Sequence, residues 1–219
     1  MSAPFAVLFD MDGVIFDSER AIRQIWRELG SELGLDGIDA VFARCIGTNK
    51  ARTAEIFSDA WPELPFRRFD DLARARFLER YGEGRLPLKA GAREILSALR
   101  ERGLPLALAS STSSGSVRRE LGEAGLLPYF DALICGDQVT RSKPDPEIFL
   151  LAAGALDRAP GNCFVIEDSY NGIRAAHAAG MRALMVPDLV EPDGEMREKA
   201  EAVLPDLAAA ERYLLQRLG

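Results

Sequence analysis

The chain has 219 residues, 47% hydrophobic and 28% charged, enough for one domain with a sizeable insertion and an ample core. A net charge of −7 excludes a general nucleic-acid binder, which carries a basic excess, but leaves room for a small anionic substrate in a local positive pocket. Three cysteines without a CxxC pair and a single histidine exclude disulfide scaffolds, zinc clusters and histidine-based triads.

In chain order, "FAVLF" (5–9) reads as a buried strand and runs directly into Asp10, Met11, Asp12 and Gly13. From about Asp17 to Leu88 only helical patterns follow. "SERAIRQIWRELGSELG" places Ile22, Ile25, Trp26 and Leu29 at helical spacing, and "FRRFDDLARARFLERYG" does the same with Phe66, Phe69, Leu72, Phe77 and Tyr81. This segment carries 12 basic and 13 acidic residues over 17–88, so the acidity belongs to the remainder. Alternation resumes afterwards. A helix in "GAREILSALRERG" stops at Gly103, and strand "LPLALAS" (104–110) follows. A second helix closes at Gly125 before strand "DALICG" (131–136). "PDPEIFLLAAGAL" then precedes strand "CFVIED" (163–168), with Asp145 as the expected N-cap and Pro146 at N1. The helix carrying His177 on its surface ends at Gly180, ahead of strand "ALMVP" (183–187). Near-continuous apolar strands alternating with helices predict a doubly wound α/β fold with a parallel sheet. Cys135 and Cys163 fall in strands as inert core thiols. Reduced cysteines, no signal-peptide pattern and no apolar run of transmembrane length predict a cytoplasmic protein without a membrane partner.

In open parallel sheets ligands bind beyond the carboxyl ends of the strands. There the sequence places Asp10 and Asp12 after the first strand, Ser110, Ser111 and Thr112 after the second, and Glu167 and Asp168 after the fourth. Lys143 stands in "RSKPDPEIF" just before a helix. Four carboxylates in one crevice repel each other and resist ionisation. An oxygen-only set without histidine or cysteine points to Mg²⁺, which shares substrate phosphate oxygens. A lysine among hydroxyls and loop amides suits a phosphate. An aspartate beside that phosphate can attack phosphorus, and a second can move the proton.

In order, "DMDGV", "ASST", "SKPDPEIF" and "VIEDSYNGI" resemble the four motifs of the haloacid dehalogenase-like (HAD) hydrolases, over about Phe5 to Val186. The helical insertion resembles their C1 cap, and the nearest branch is the β-phosphoglucomutase-like phosphatases. The resemblance implies a Rossmann-like core over 1–16 and 88–219 and a helical cap over 17–87. It implies a Mg²⁺-dependent phosphatase, a monomer or weak dimer, acting on a small phosphorylated metabolite such as a sugar phosphate through an aspartyl phosphate. Residue by residue, Asp10 would be nucleophile and metal ligand, and Asp12 general acid/base with its carbonyl on the metal. Ser110 and the Ser111 amide would hold the phosphoryl group. Lys143 would neutralise phosphoryl charge and fix Asp10. Asp168 would ligate Mg²⁺, and Glu167 would bind it or orient its waters. Lys50 and Arg52, in "GTNKAR" (47–52), would select substrate from the cap.

Each motif has a blander reading alone. Asp10 and Asp12 could cap a turn, Ser113 or Ser114 is a helix N-cap, and Glu167 and Asp168 could cap the helix near Tyr170. The alternative function is a β-phosphoglucomutase-type phosphomutase. Such mutases resemble the same motifs but use a cap histidine, and "DSERAIRQ" has none. A phospho-accepting receiver domain would share acids, lysine and hydroxyl but needs no large insertion after the first strand.

Overall fold

The computed structural model describes residues 5–46, 48 and 50–218. The chain divides into two compact units, Met1–Asp17 with Pro87–Gly219, and Ser18–Leu86. Asp17 donates its N–H to the Pro87 carbonyl at 2.8 Å and Lys89 donates to Ile15 at 2.9 Å, so the outgoing and returning chains are bonded together at the sheet unit.

The larger unit holds one six-stranded sheet. Its strands are β1 (Ala6–Phe9), β2 (Leu106–Ser110), β3 (Ala132–Cys135), β4 (Cys163–Glu167), β5 (Arg182–Met185) and β6 (Ala202–Val203). All neighbours pair parallel in the order β3-β2-β1-β4-β5-β6. The expected doubly wound parallel sheet is therefore present. The two-residue β6 was not anticipated, since it is too short to register as an apolar run. β1 lies at the switch point, where the chain winds first toward β3 and later toward β6, so a crevice opens past its carboxyl end.

The sheet is dry. β1, β2 and β4 are buried at every residue, as continuous apolar runs in a covered parallel sheet should be. Alternate residues Leu8, Ala107, Ala109, Val165 and Met185 face a core completed by Phe149 and Ala152 of α7 (Glu147–Ala155) and Ile173 and Ala176 of α8 (Tyr170–Ala178). Buried residues of α5 (Ala92–Glu101), α6 (Ser114–Glu123) and α10 (Leu207–Leu218) supply further core, and α9 (Gly194–Lys199) contributes Met196. The three cysteines are free and buried, and His177 is exposed on α8. Gly180, at φ 71°, follows that helix as expected. Asp145 caps from one position further out than expected. Pro146 is the residue preceding α7, and the Asp145 carboxylate accepts the N–H of Glu147 at 3.0 Å.

The smaller unit is helical, with α1 (Ser18–Leu33), α2 (Ile38–Cys45), α3 (Lys50–Ala60) and α4 (Phe66–Tyr81). Trp26 stands edge-on to Phe42, Phe57 and Phe69 at 4.9–6.0 Å between ring centres, giving this unit its own aromatic core. The anticipated apolar stripes are narrower than the periodicity implied. Ile22 and Leu72 are exposed, and Phe69 is the one fully buried residue of α4. Two bidentate pairs, Arg76 to Glu32 and Arg80 to Glu28, tie α4 to α1 in their place.

Candidate active site

Three strand ends meet on one ammonium group. Lys143 Nζ donates to Asp10 Oδ1 at 2.6 Å, to Glu167 Oε1 at 2.8 Å and to the Ala109 carbonyl at 2.9 Å. The register explains the convergence. Phe9 is level with Leu108 of β2 and Ile166 of β4, so the next residues, Asp10, Ala109 and Glu167, reach the edge together. The Lys143 side chain is 6% exposed and lies 4.9 Å from the centre of the Phe149 ring. Burial pushes the Asp10 carboxyl up, to about 8, against the pull of Lys143, and Glu167 and Asp12 add to the rise. Burial draws the Lys143 ammonium down, but Asp10 and Glu167 outweigh it and leave it raised.

Glu167 is held from both sides. Its Oε2 accepts the Ser169 N–H at 2.7 Å and the Ser169 hydroxyl at 2.9 Å, while the Ser169 hydroxyl oxygen in turn accepts the Gly172 N–H at the start of α8. Ser169, rather than Glu167 or Asp168, is thus the cap of that helix. A Cβ on Gly172 would sit 1.7 Å from Glu167 Oε1, so the carboxylate passes through the space glycine leaves.

After Asp10 the chain turns sharply. Ile15 and Phe16 both donate to the Met11 carbonyl, and Gly13 donates to Phe16. Gly13 has φ 80°, and a Cβ there would lie 2.2 Å from Asp168 Oδ2. Glycine is needed twice over, for the backbone conformation and for the approach of Asp168. Ser110 is buried, and its Oγ accepts the Thr112 N–H at 3.1 Å. Ser111 is exposed on the same loop. The Thr112 hydroxyl donates to Asp12 Oδ2 at 2.9 Å.

The sheet unit therefore brings Asp10, Lys143 and Glu167 into direct contact, Asp12 to Thr112, and Asp168 against Gly13. Lys50 and Arg52 lie on α3 of the helical unit, where Lys50 bonds Asp70 at 2.7 Å and Arg52 bonds Glu55 at 2.8 Å. Gly47 and Asn49 of the same segment lie outside the described residues. Two residues at the edge escaped the sequence reading. Asp188, its side chain fully buried, accepts from Lys89 at 2.5 Å, and its carboxylate oxygen lies within 4.8 Å of one from Asp168. The signal lies in the sequence, since Asp188 directly follows "ALMVP" at the carboxyl end of β5.

The donor set suits a hard divalent cation. Asp10, Glu167 and Asp168 offer only oxygen and are almost wholly buried.

A family model of the haloacid dehalogenase-like hydrolases matches residues 6–180. The chain belongs to this family. It is an HAD-like enzyme similar to curated phosphatases across most of its length. The phosphorylated carbohydrates phosphatase of Thermotoga maritima is 32% identical over 184 residues, covering 82% of this chain and 83% of that one. The fructose-1-phosphate phosphatase YqaB of Escherichia coli is 34% identical over 186 residues, covering 82% and 95%. A crystal structure of an HAD family hydrolase from Deinococcus radiodurans, with bound phosphate and sodium, superimposes with a TM-score of 0.80 at 32% identity, covering 100% of this chain and 98% of that one. Among the described residues no helix of this HAD protein is long and apolar enough to cross a membrane.

Proposed function

We propose that this HAD hydrolase is a Mg²⁺-dependent phosphatase of small phosphorylated metabolites, sugar phosphates foremost, working through an aspartyl phosphate on Asp10. The observation that carries the reading is the Lys143 ammonium shared between Asp10 and Glu167 at the carboxyl edge of β1 and β4. It aims Asp10 Oδ1 and adds the positive charge a phosphoryl group requires.

Asp10 attacks phosphorus; its O–P bond forms as the ester P–O bond breaks, and the proton of Asp12 passes to the leaving oxygen. Water then attacks the phosphoaspartate, Asp12 takes its proton, and phosphate departs as the Asp10 carboxylate is restored. The Ser110 hydroxyl and the Ser111 amide donate to phosphoryl oxygens. Mg²⁺ would be held by Asp10, the Asp12 carbonyl and Asp168, and would supply charge neutralisation and alignment of attacking and leaving oxygens. Three of the four lone pairs of Glu167 are committed to Lys143 and Ser169. Its main task is then to hold Lys143, with one lone pair left for a water of the metal.

The helical unit, as a cap over 18–86, would select substrate, with Lys50 and Arg52 as the reading residues. Both are exposed and ion-paired, and an exposed pair is easily exchanged for a substrate phosphate.

The test is phosphate release from a panel of phosphorylated metabolites, with and without Mg²⁺. Incubation with β-glucose 1-phosphate, with and without glucose 1,6-bisphosphate, separates hydrolase from mutase. Phosphate release independent of the bisphosphate is expected. Efficient, activator-dependent glucose 6-phosphate formation with little free phosphate would overturn the assignment.

A further inference from the structure

We propose that Thr112 is a positioning residue for Asp12: its hydroxyl holds one carboxylate oxygen and so fixes the orientation in which Asp12 exchanges a proton with the leaving group. The proposal rests on the reading of Asp12 as general acid/base.

Thr112 is fixed at three points. Its N–H donates to Ser110 Oγ at 3.1 Å, its carbonyl accepts the Gly136 N–H at 2.9 Å, and its hydroxyl donates to Asp12 Oδ2 at 2.9 Å. The support from Gly136 is a close one, because a Cβ there would lie 2.1 Å from the Ser111 carbonyl oxygen. A β-branched side chain on so constrained a backbone has few rotamers, so the hydroxyl is held in place rather than sampled. It is not a helix cap. α6 begins at Ser114 after Ser113, and the Thr112 hydroxyl bonds a residue 100 positions away in sequence.

The chemistry follows from donor and acceptor capacity. An ionised carboxylate only accepts, so the hydroxyl must be the donor. With Oδ2 receiving that hydrogen, the plane of the Asp12 carboxyl is fixed for proton exchange. The same residue also acts on the phosphoryl side. Because Ser110 Oγ accepts the Thr112 N–H, its own hydrogen is left to donate to a phosphoryl oxygen. Thr112 thereby sets the orientation of the proton carrier and of the hydroxyl that grips the group being transferred.

The experiment compares Thr112→Val, which keeps the shape and removes the hydroxyl, with Thr112→Ser, which keeps the hydroxyl. kcat/KM is measured against Mg²⁺-saturated enzyme for a series of phosphate esters, from p-nitrophenyl phosphate to sugar phosphates. Thr112→Val should lose about 10–100-fold on sugar phosphates, less than the ~10²–10⁴ of a whole general acid, and no more than about threefold on p-nitrophenyl phosphate. Thr112→Ser should stay within about threefold of wild type throughout. In an Asp12→Asn background, Thr112→Val should add no further dependence on leaving group, because paired residues are not additive. Thr112→Ala repeats the comparison should the valine variant melt early. An equal loss on all esters, or none, with Asp12→Asn still dependent on leaving group, would overturn the role of Thr112 alone. Absence of that dependence in Asp12→Asn would overturn the acid role of Asp12 and this proposal with it.

Discussion

Replacing Lys143 with methionine removes the charge while keeping a chain of similar length. Two buried carboxylates then lose their shared donor, Asp10 at 2.6 Å and Glu167 at 2.8 Å, and the Ala109 carbonyl loses a third hydrogen bond. With its carboxylate ionised, each of the two acid–lysine contacts carries a gross Coulomb attraction of about 6 kcal/mol at an effective dielectric of 20, most of it offset in the native protein by the desolvation of the buried groups. Breaking such a group by removing one member costs about 3–5 kcal/mol, because the remaining charges stay buried. In a protein of this size that is a fall in Tm of roughly 6–20 °C. One of the two carboxylates can recover part of the loss by taking up a proton, so the deficit should be smaller at pH 5 than at pH 8. Activity should fall by about 10²–10³ in kcat/KM, as when other electrostatic stabilisers are removed. Thermal melts at both pH values and steady-state phosphate release give the answer. A variant that melts within 2 °C of wild type (about 1 kcal/mol or less) and retains its kcat/KM would refute the assignment of Lys143 as the shared counter-ion.

Gly13→Ala should cost more than about 1 kcal/mol for the left-handed backbone, and should push Asp168 from the turn, weakening Mg²⁺ binding by about tenfold or more in a metal titration. Gly172→Ala should cost about 3 kcal/mol, the upper end for overpacking, since Glu167 is bonded at both oxygens and has nowhere to rotate; an unchanged melt would show that the carboxylate has another place to go. The pH dependence of the metal-free protein has a definite sign. The folded Asp10 carboxyl is raised to about 8 from an ordinary 3.8, so between those values the folded state binds the proton more tightly and stability falls as pH rises. Metal-free Tm should therefore decline from pH 5 to pH 8 more steeply in wild type than in Asp10→Asn, and Mg²⁺ should flatten the wild-type slope. Equal slopes in the two proteins would count against the raised carboxyl.

The carboxyl edge was legible because strand ends can be read from where apolar runs stop. "FAVLF", "LPLALAS" and "CFVIED" end at or within two residues of Phe9, Leu108 and Ile166, which the register aligns, and this puts Asp10, Ser110 and Glu167 at the edge. What could not be read were pairings between distant segments. Nothing in "ASST" shows that the threonine hydroxyl turns to Asp12. Nothing in "RSKPDP" shows that Lys143 crosses to Glu167 rather than pointing to solvent. Asp188 and Lys89 come from two more segments, 99 positions apart, whose meeting depends on β5 lying beside β4. In the helical unit, periodicity overstated the apolar face of α4. Helical spacing cannot distinguish a packed leucine from an exposed one, and Leu72 is exposed while arginine–glutamate pairs hold the helices together.

The charge at the edge couples the binding of metal and phosphate in the proposed reaction. Asp10, Asp12, Glu167, Asp168 and Asp188 converge on it, against Lys143 and Lys89, and both lysines are already bonded to carboxylates. An anionic phosphate entering alone would meet an excess of like charge. In the proposed mechanism a divalent cation among the acids would remove that excess and keep Asp10 ionised, as a nucleophile requires. Phosphate and metal would then favour one another's binding through a shared electrostatic environment, and by linkage the gain would be the same whichever binds first. In the proposed mechanism an acidic protein can take an anionic substrate because the local balance would be set by Lys143, Lys89 and a cation, independent of the net charge of the chain.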